Sequence, residues 1–210
     1  MMNTPLTKWD ERYRADEYIF GTEPNAFLVQ AAPRLPRGPV LSLAEGEGRN
    51  AVYLAEQGYD VTGVDSSAVA LAKAQALARE RGVSLTTDPA DLATYDLGEA
   101  AWSAVVSIYC HLPPELRREL HKRIVTSLRP GGVFVLEAYA KAQVNYDSGG
   151  PSSPALLLDL AEVQRELSGL QFEHAAELER DVSEGRFHTG WAAVVQVIAV
   201  KPDATPDLAS

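Results

Sequence analysis

One cysteine, Cys110, stands in a chain of 210 residues. An internal disulfide is therefore excluded, and there is no cysteine cluster for zinc or an iron–sulfur centre; a reducing, cytoplasmic setting is the expectation. Basic residues are also scarce. Against 29 Asp and Glu there are 19 Lys and Arg, a formal net charge of −10. Such a chain repels phosphate backbones, so the expected partner is a small molecule and not a nucleic acid. No run of about 18 apolar residues occurs, and the N-terminal stretch MMNTPLTKWDERYRADEY has no apolar signal core, so neither membrane spanning nor secretion is expected. Internal repeats are absent, and the sequence carries no signal for oligomeric state. What it does have is a length that suits one domain with a substantial core.

The centre of the sequence is Pro39 to Ser67, PVLSLAEGEGRNAVYLAEQGYDVTGVDSS. Its pattern predicts a strand from Val40 to Leu43, a glycine turn from Glu45 to Gly48, a helix over about Asn50 to Gln57, and a second strand from Asp60 to Val64 that ends on Asp65. A strand–helix–strand crossover demands a parallel sheet and brings both carboxyl ends to one edge, where open α/β sheets bind ligands. Asp65 follows Gly46 by 19 residues. That is close to the roughly 20 at which an acid of a dinucleotide fold reaches ribose hydroxyls. A nicotinamide fingerprint would need glycines at positions 44, 46 and 49, where this chain has Ala44, Gly46 and Arg49. A nicotinamide-dependent oxidoreductase is thus the weaker alternative.

With Asp65, the segment E-G-E-G-R-N resembles motif I of class I S-adenosylmethionine-dependent methyltransferases, an acid followed by G-x-G-x-G. The sequence departs from that pattern at Ser42, where the acid usually stands, and at Ala44, which replaces the first glycine. The alanine is accommodated if its φ is negative, and Glu45 or Glu47 is a candidate substitute for the acid. Trp9, Arg12, Tyr13, Tyr18, Phe20, Gly21, Pro24 and Asn25 match a W-x-x-R-Y and Y-x-F/Y-G-x-x-P-N stretch of the tellurite-resistance and thiopurine-type branch, where it covers the cofactor. Asp91-Leu92 match the family's Asp-Leu against adenine, and Leu128 to Gly132 its L-x-P-G-G turn.

The resemblance implies S-adenosyl-L-methionine as cofactor, no metal, and transfer of a methyl group to a small-molecule acceptor such as a thiol or a tellurium or selenium oxyanion. It implies Trp9, Tyr13, Ala44, Glu45, Gly46, Asn50, Asp65, Ser66, Asp91, Leu92 and Ile108 as cofactor-binding residues. The implied fold is a single α/β domain over residues 1–202: a Rossmann-like, seven-stranded, mostly parallel sheet with helices on both faces. An N-terminal helical cover (1–35) precedes it, and residues 203–210 read as a disordered tail.

Elsewhere the pattern predicts a helix ending at Gly82 and a third strand from Val83 to Thr86, with Asp88, Asp91 and Leu92 past its end. A fourth strand, Trp102 to Ile108, leads into YCHLPPELRREL, and a helix opens at about Glu115. After a turn at Arg129 to Gly132, a fifth strand runs from Val133 to Glu137. KAQVNYDSGGPSSPA reads as a mobile loop on the site edge, and LLLDLAEVQRELSGL as a helix. Phe172 to Leu178 and Gly190 to Lys201 form an antiparallel hairpin, whose connection holds Arg186 and His188 in an E-G-x-x-H segment with no assignable role. His111, just past the fourth strand, is the candidate catalytic residue. It or Tyr139 serves as base if the acceptor is a hydroxyl or amine, whereas a soft anion needs none. Cys110 reads as a packed side chain. The altered motif I also leaves room for a non-catalytic S-adenosylmethionine-binding module.

Overall fold

A strand buried on both faces needs apolar residues at successive positions, and Pro39–Leu43 (β1) has them: four of its five residues are buried. In the computed structural model, which describes residues 8–203, β1 is the third strand of a seven-stranded sheet of order β3-β2-β1-β4-β5-β7-β6. The strands are β1, Asp60–Asp65 (β2), Thr86–Pro89 (β3), Trp102–Ile108 (β4), Leu128–Tyr139 (β5), Gln171–Ser183 (β6) and Thr189–Val200 (β7). The first five pair in parallel, while β7 is antiparallel to both β5 and β6. The seven-stranded, mostly parallel sheet with its edge hairpin is the fold the sequence predicts.

Side chains alternate across a strand, so each strand feeds two cores. Leu41, Leu43, Val105 and Phe134 face one layer, with Leu120 and Ile124 of Pro114–Ser127 (α5) and Val163 of Leu160–Glu166 (α6). Val40, Val61, Ala104 and Val106 face the other. There they meet Leu28 of Ala26–Ala31 (α2), Leu54 of Arg49–Glu56 (α3) and Leu77 of Ala68–Glu80 (α4). A short helix, Lys8–Tyr13 (α1), precedes them in the chain. Among the described residues no helix is long and apolar enough to cross a membrane.

Several boundaries differ from the sequence reading. The third strand begins three residues later than predicted, because Val83 N–H bonds to Ala78 O and so completes the end of α4 around Gly82, at φ +70°. Asp88 is consequently inside β3, opposite Val64, and not beyond it. The strand after the Arg129–Gly132 turn is the second part of a longer β5, whose pairing with β4 shifts register across that turn. The helix read at 156–170 shrinks to Leu160–Glu166, since Asp159 caps it and Leu158 bridges to Ala140. The loop after β5 is pinned: Gln143 donates to Ser148 Oγ and Gly149 O and accepts from Ala193 N–H. From residue 204 onward, the expected tail lies outside the described residues.

Candidate functional site

The order of the sheet reverses between β1 and β4, and ligands of open α/β sheets bind at the carboxyl edge of such a switch point. The glycine turn leaves β1 there. Gly46 has φ +63° and Gly48 φ +98°. A Cβ on Gly48 would lie 2.6 Å from Ala74 of α4, so only glycine allows α3 and α4 to approach this closely. Ala44 is in the left-handed region too, at φ +49°. The negative φ expected of it is not adopted, and the turn carries strain of about 1–2 kcal/mol at that residue.

Asp65 ends β2 beside the turn. Its Oδ2 accepts from Gly46 N–H at 2.9 Å and its Oδ1 from Ser67 N–H at 2.8 Å. Burial raises the carboxyl's pKa, backbone bonds from Ser67, Gly46 and Ser66 oppose the rise, and nearby Asp10 adds to it. With backbone N–H groups of Gly46, Ser66 and Ser67 around it, the carboxylate, with about four lone-pair sites, keeps acceptor capacity for a ligand hydroxyl. Ser66 is exposed beside it, while Ser67 caps α4 by accepting from Ala70 N–H.

The two acids of the turn are spent internally, which corrects the reading of either as a substitute facing the ligand. Glu45 folds under the turn and accepts from Ser42 Oγ, and from Asn50 N–H and Ala51 N–H at 3.2 and 2.9 Å. Glu47 pairs with Lys73 and accepts from Ile19 N–H at 2.7 Å, fastening the N-terminal segment to α4. Asn50 does similar work, its Oδ1 accepting from Asn25 N–H at 2.9 Å.

The N-terminal segment lies across the turn. Tyr13 sits 3.1 Å from where a Gly46 Cβ would be, and Trp9 stacks on Tyr13 with ring centroids 5.8 Å apart. Asp91 is exposed past β3, where its Oδ1 accepts from Ala93 N–H in a local turn; Leu92 and Ile108 are buried. The structure thus brings Trp9, Tyr13, Ala44, Gly46 and Asp65 together. It turns the side chains of Glu45 and Asn50 to internal partners.

A second cluster adjoins the turn, built from residues the sequence reading largely left without a role. Tyr109, at φ +53° just past β4, contacts Tyr139 and His188 with ring centroids 4.8 and 4.5 Å away. His111 stacks on Tyr139 at 5.7 Å and 12° between planes. Leu156 O lies 2.9 Å from His111 Nδ1 and can only accept, so Nδ1 carries the proton and Nε2 keeps a lone pair. Burial lowers the His111 pKa to about 4; burial and the Arg49 charge lower that of His188 to about 3. Both rings are neutral near pH 7. Tyr139 is unsuited to act as base, because its hydroxyl donates to Ser148 O and burial raises its pKa. Cys110 is buried with its thiol pushed up to about 12, an inert packed side chain.

Behind these rings lies a closed set of charges. Glu184 pairs with Arg49 at 2.7 Å and with Arg180 at 2.6 Å, while Arg180 also meets the fully buried Glu137 at 2.6 Å. Asn25 donates to both carboxylates. The E-G-x-x-H segment is thereby explained in part. Glu184 holds the N-terminal segment through Asn25, and Gly185 passes so close that a Cβ would lie 2.4 Å from the Phe20 carbonyl carbon.

Residues 40–132 match a family model described as "Methyltransferase domain". The chain is 31% identical over 117 residues to the 2-heptyl-1-hydroxyquinolin-4(1H)-one methyltransferase of Mycobacteroides abscessus, covering 54% of this chain and 52% of that one. It is 30% identical over 147 residues to the glycine/sarcosine N-methyltransferase of Halorhodospira halochloris, covering 68% and 50%. The chain spans about half the length of these curated relatives. Among solved structures, one described as "Conversion of a Disulfide Bond into a Thioacetal Group during Echinomycin Biosynthesis" superposes with a TM-score of 0.75 at 20% identity, over 95% of this chain and 93% of that one. TehB from Haemophilus influenzae gives 0.70 at 19%, over 92% and 65%.

The fold is that of the class I methyltransferases. The matched domain, with solved structures described as S-adenosylmethionine-dependent methyltransferases, implies S-adenosylmethionine as the cofactor. The donor set suits that group: a glycine turn at the carboxyl edge with no side chain at Gly46 or Gly48, a carboxylate beside it, and aromatic rings above them.

Proposed function

We propose that this methyltransferase-fold protein transfers a methyl group from S-adenosylmethionine to a small-molecule acceptor. The observation that carries the reading is the contact between Gly46 N–H and Asp65 Oδ2, which fixes a ribose-binding carboxylate beside the glycine turn. In this reading Asp65 receives the ribose hydroxyls with Ser66 beside it, Asp91-Leu92 and Ile108 border the adenine, and Ala44 and Gly46 supply the turn's backbone. Trp9 and Tyr13 close over the cofactor and exclude water. The cofactor supplies an electrophilic methyl group on a positively charged sulfur. The chain's own task is to hold the acceptor in line with that methyl group, a matter of positioning more than of covalent chemistry. His111 Nε2, unprotonated and without a partner, takes the acceptor's proton. The N-terminal W-x-x-R-Y stretch and the likeness to TehB favour the TehB-like branch of the family.

Titrating S-adenosylhomocysteine into the protein and into its Asp65→Ala variant tests the assignment. Loss of a charge-assisted bond worth about 1.5–3 kcal/mol weakens binding roughly tenfold or more. An unchanged dissociation constant would sink the role given to Asp65.

A further inference from the structure

His111 Nε2 and His188 Nδ1 are both buried and both lack a hydrogen-bond partner. A buried polar atom left unpaired is costly, and two in one cluster point to a ligand that supplies what they lack. They lie among rings. His188 touches Phe20, Tyr109 and Tyr139 at 4.6, 4.5 and 5.3 Å, and the parallel His111–Tyr139 pair makes a flat wall.

The two arginines behind these rings are already spent. Arg49 and Arg180 are held by Glu184 and Glu137. Two further cations lie over rings: Arg12 over Trp9, Phe20 and Phe187, at 5.3, 5.6 and 5.0 Å, and Arg186 over Phe187 at 5.7 Å. A small oxyanion such as selenite needs unspent cations or several converging N–H donors, and two neutral imidazoles are a poor substitute. A flat uncharged ring carrying one hydroxyl matches both the walls and the unpaired nitrogens.

We propose that the acceptor is an uncharged planar aromatic with a ring hydroxyl, and that His188 recognises it together with His111. This deepens the methyltransferase reading and rests on it. The hydroxyl proton passes to His111 Nε2, the oxygen's electron pair forms the bond to the methyl carbon, and the carbon–sulfur pair stays on sulfur. The products are an aryl methyl ether, S-adenosylhomocysteine and an imidazolium that returns its proton to solvent. His188 is a binding residue in this step and takes no proton.

The test uses the full chain with S-adenosylhomocysteine bound and 1-naphthol as probe, followed by calorimetry, with selenite in parallel. Expected is binding of 1-naphthol and none of selenite. His188→Phe and His111→Phe keep a ring and remove the nitrogens; each weakens 1-naphthol at least tenfold while leaving the S-adenosylhomocysteine affinity within twofold. If either variant fails to fold, the imidazole proton resonances of the unaltered protein decide: both shift on adding 1-naphthol if the proposal holds, and neither shifts if it does not. Selenite binding in place of 1-naphthol, or unchanged naphthol affinity in both variants, overturns the acceptor class and leaves the methyltransferase reading standing. Failure of S-adenosylhomocysteine to bind removes both.

Discussion

Glu45 brings a carboxylate to Ser42, where the family's acid usually stands. It reaches there because Gly63 has no side chain: a Cβ at that position would sit 3.1 Å from Glu45 Cγ. Burial pushes the Glu45 carboxyl up to about 7, against the pull of bonds from Ser42, Ala51 and Asn50 and the nearby Arg49 charge. Its folded pKa thus lies above its unfolded value near 4.5. The stabilisation it contributes is full below about pH 4.5 and lost as pH rises through 7, a change of roughly 3 kcal/mol in all. Urea unfolding at pH 5 and pH 8 reads this directly. In Glu45→Gln the stability at pH 5 relative to that at pH 8 falls by about 2 kcal/mol against the parent. The same difference in variant and parent would mean that the carboxyl does not titrate in this range.

The elements that close the site are joined by backbone as much as by side chains. Arg186 N–H bonds to Ile19 O at 3.1 Å, and Gly185, at φ +75°, runs against Phe20 and Gly21. Gly185→Ala places a methyl group into the Phe20 backbone and forces an alanine into the left-handed region. We expect a stability loss of about 2 kcal/mol or more, on the order of 4–8 °C in Tm. Cleavage by trypsin at Arg12 or Arg14 should quicken by more than the global loss accounts for, because the N-terminal segment loses its seat. Equal protection of parent and variant would show that the hairpin connection does not hold that segment. The sequence makes the hairpin legible through the valine-rich run of β7 and α4 through its capping Ser67, since both signals are local. It does not reveal the offset of β3, because Val83 serves the end of α4 instead of starting a strand.

At the scale of the whole molecule, what the sequence leaves hidden is contact between distant segments. Asn25 donates to Glu137, 112 residues away, and to Glu184, 159 away. The glycine turn and Asp65 fall in one 30-residue window and are readable; Glu45's return to Ser42 and the role of the E-G-x-x-H segment are fixed only by folding. Acid stability draws on the same distant arrangement. His111 and His188 are held neutral, with folded pKa values of about 4 and 3 against 6.5 unfolded. The unfolded chain therefore binds more protons at these sites below pH 6.5, and stability falls as pH drops through that range. Glu45, and Asp65 in the same sense, oppose the fall, since their raised values make the folded chain the better proton binder. Carboxyls whose values are lowered, such as Glu166 at about 2, act mainly below their ordinary 4.5. Between pH 6.5 and 5 the balance is a net uptake of about one proton on unfolding. Replacing both histidines by phenylalanine removes the larger contribution, so the slope of unfolding free energy against pH falls to zero or changes sign. Denaturant midpoints at half-unit steps from pH 5 to 7 measure it, and a slope identical to the parent's would mean that the two imidazoles take up protons equally in the folded and the unfolded chain.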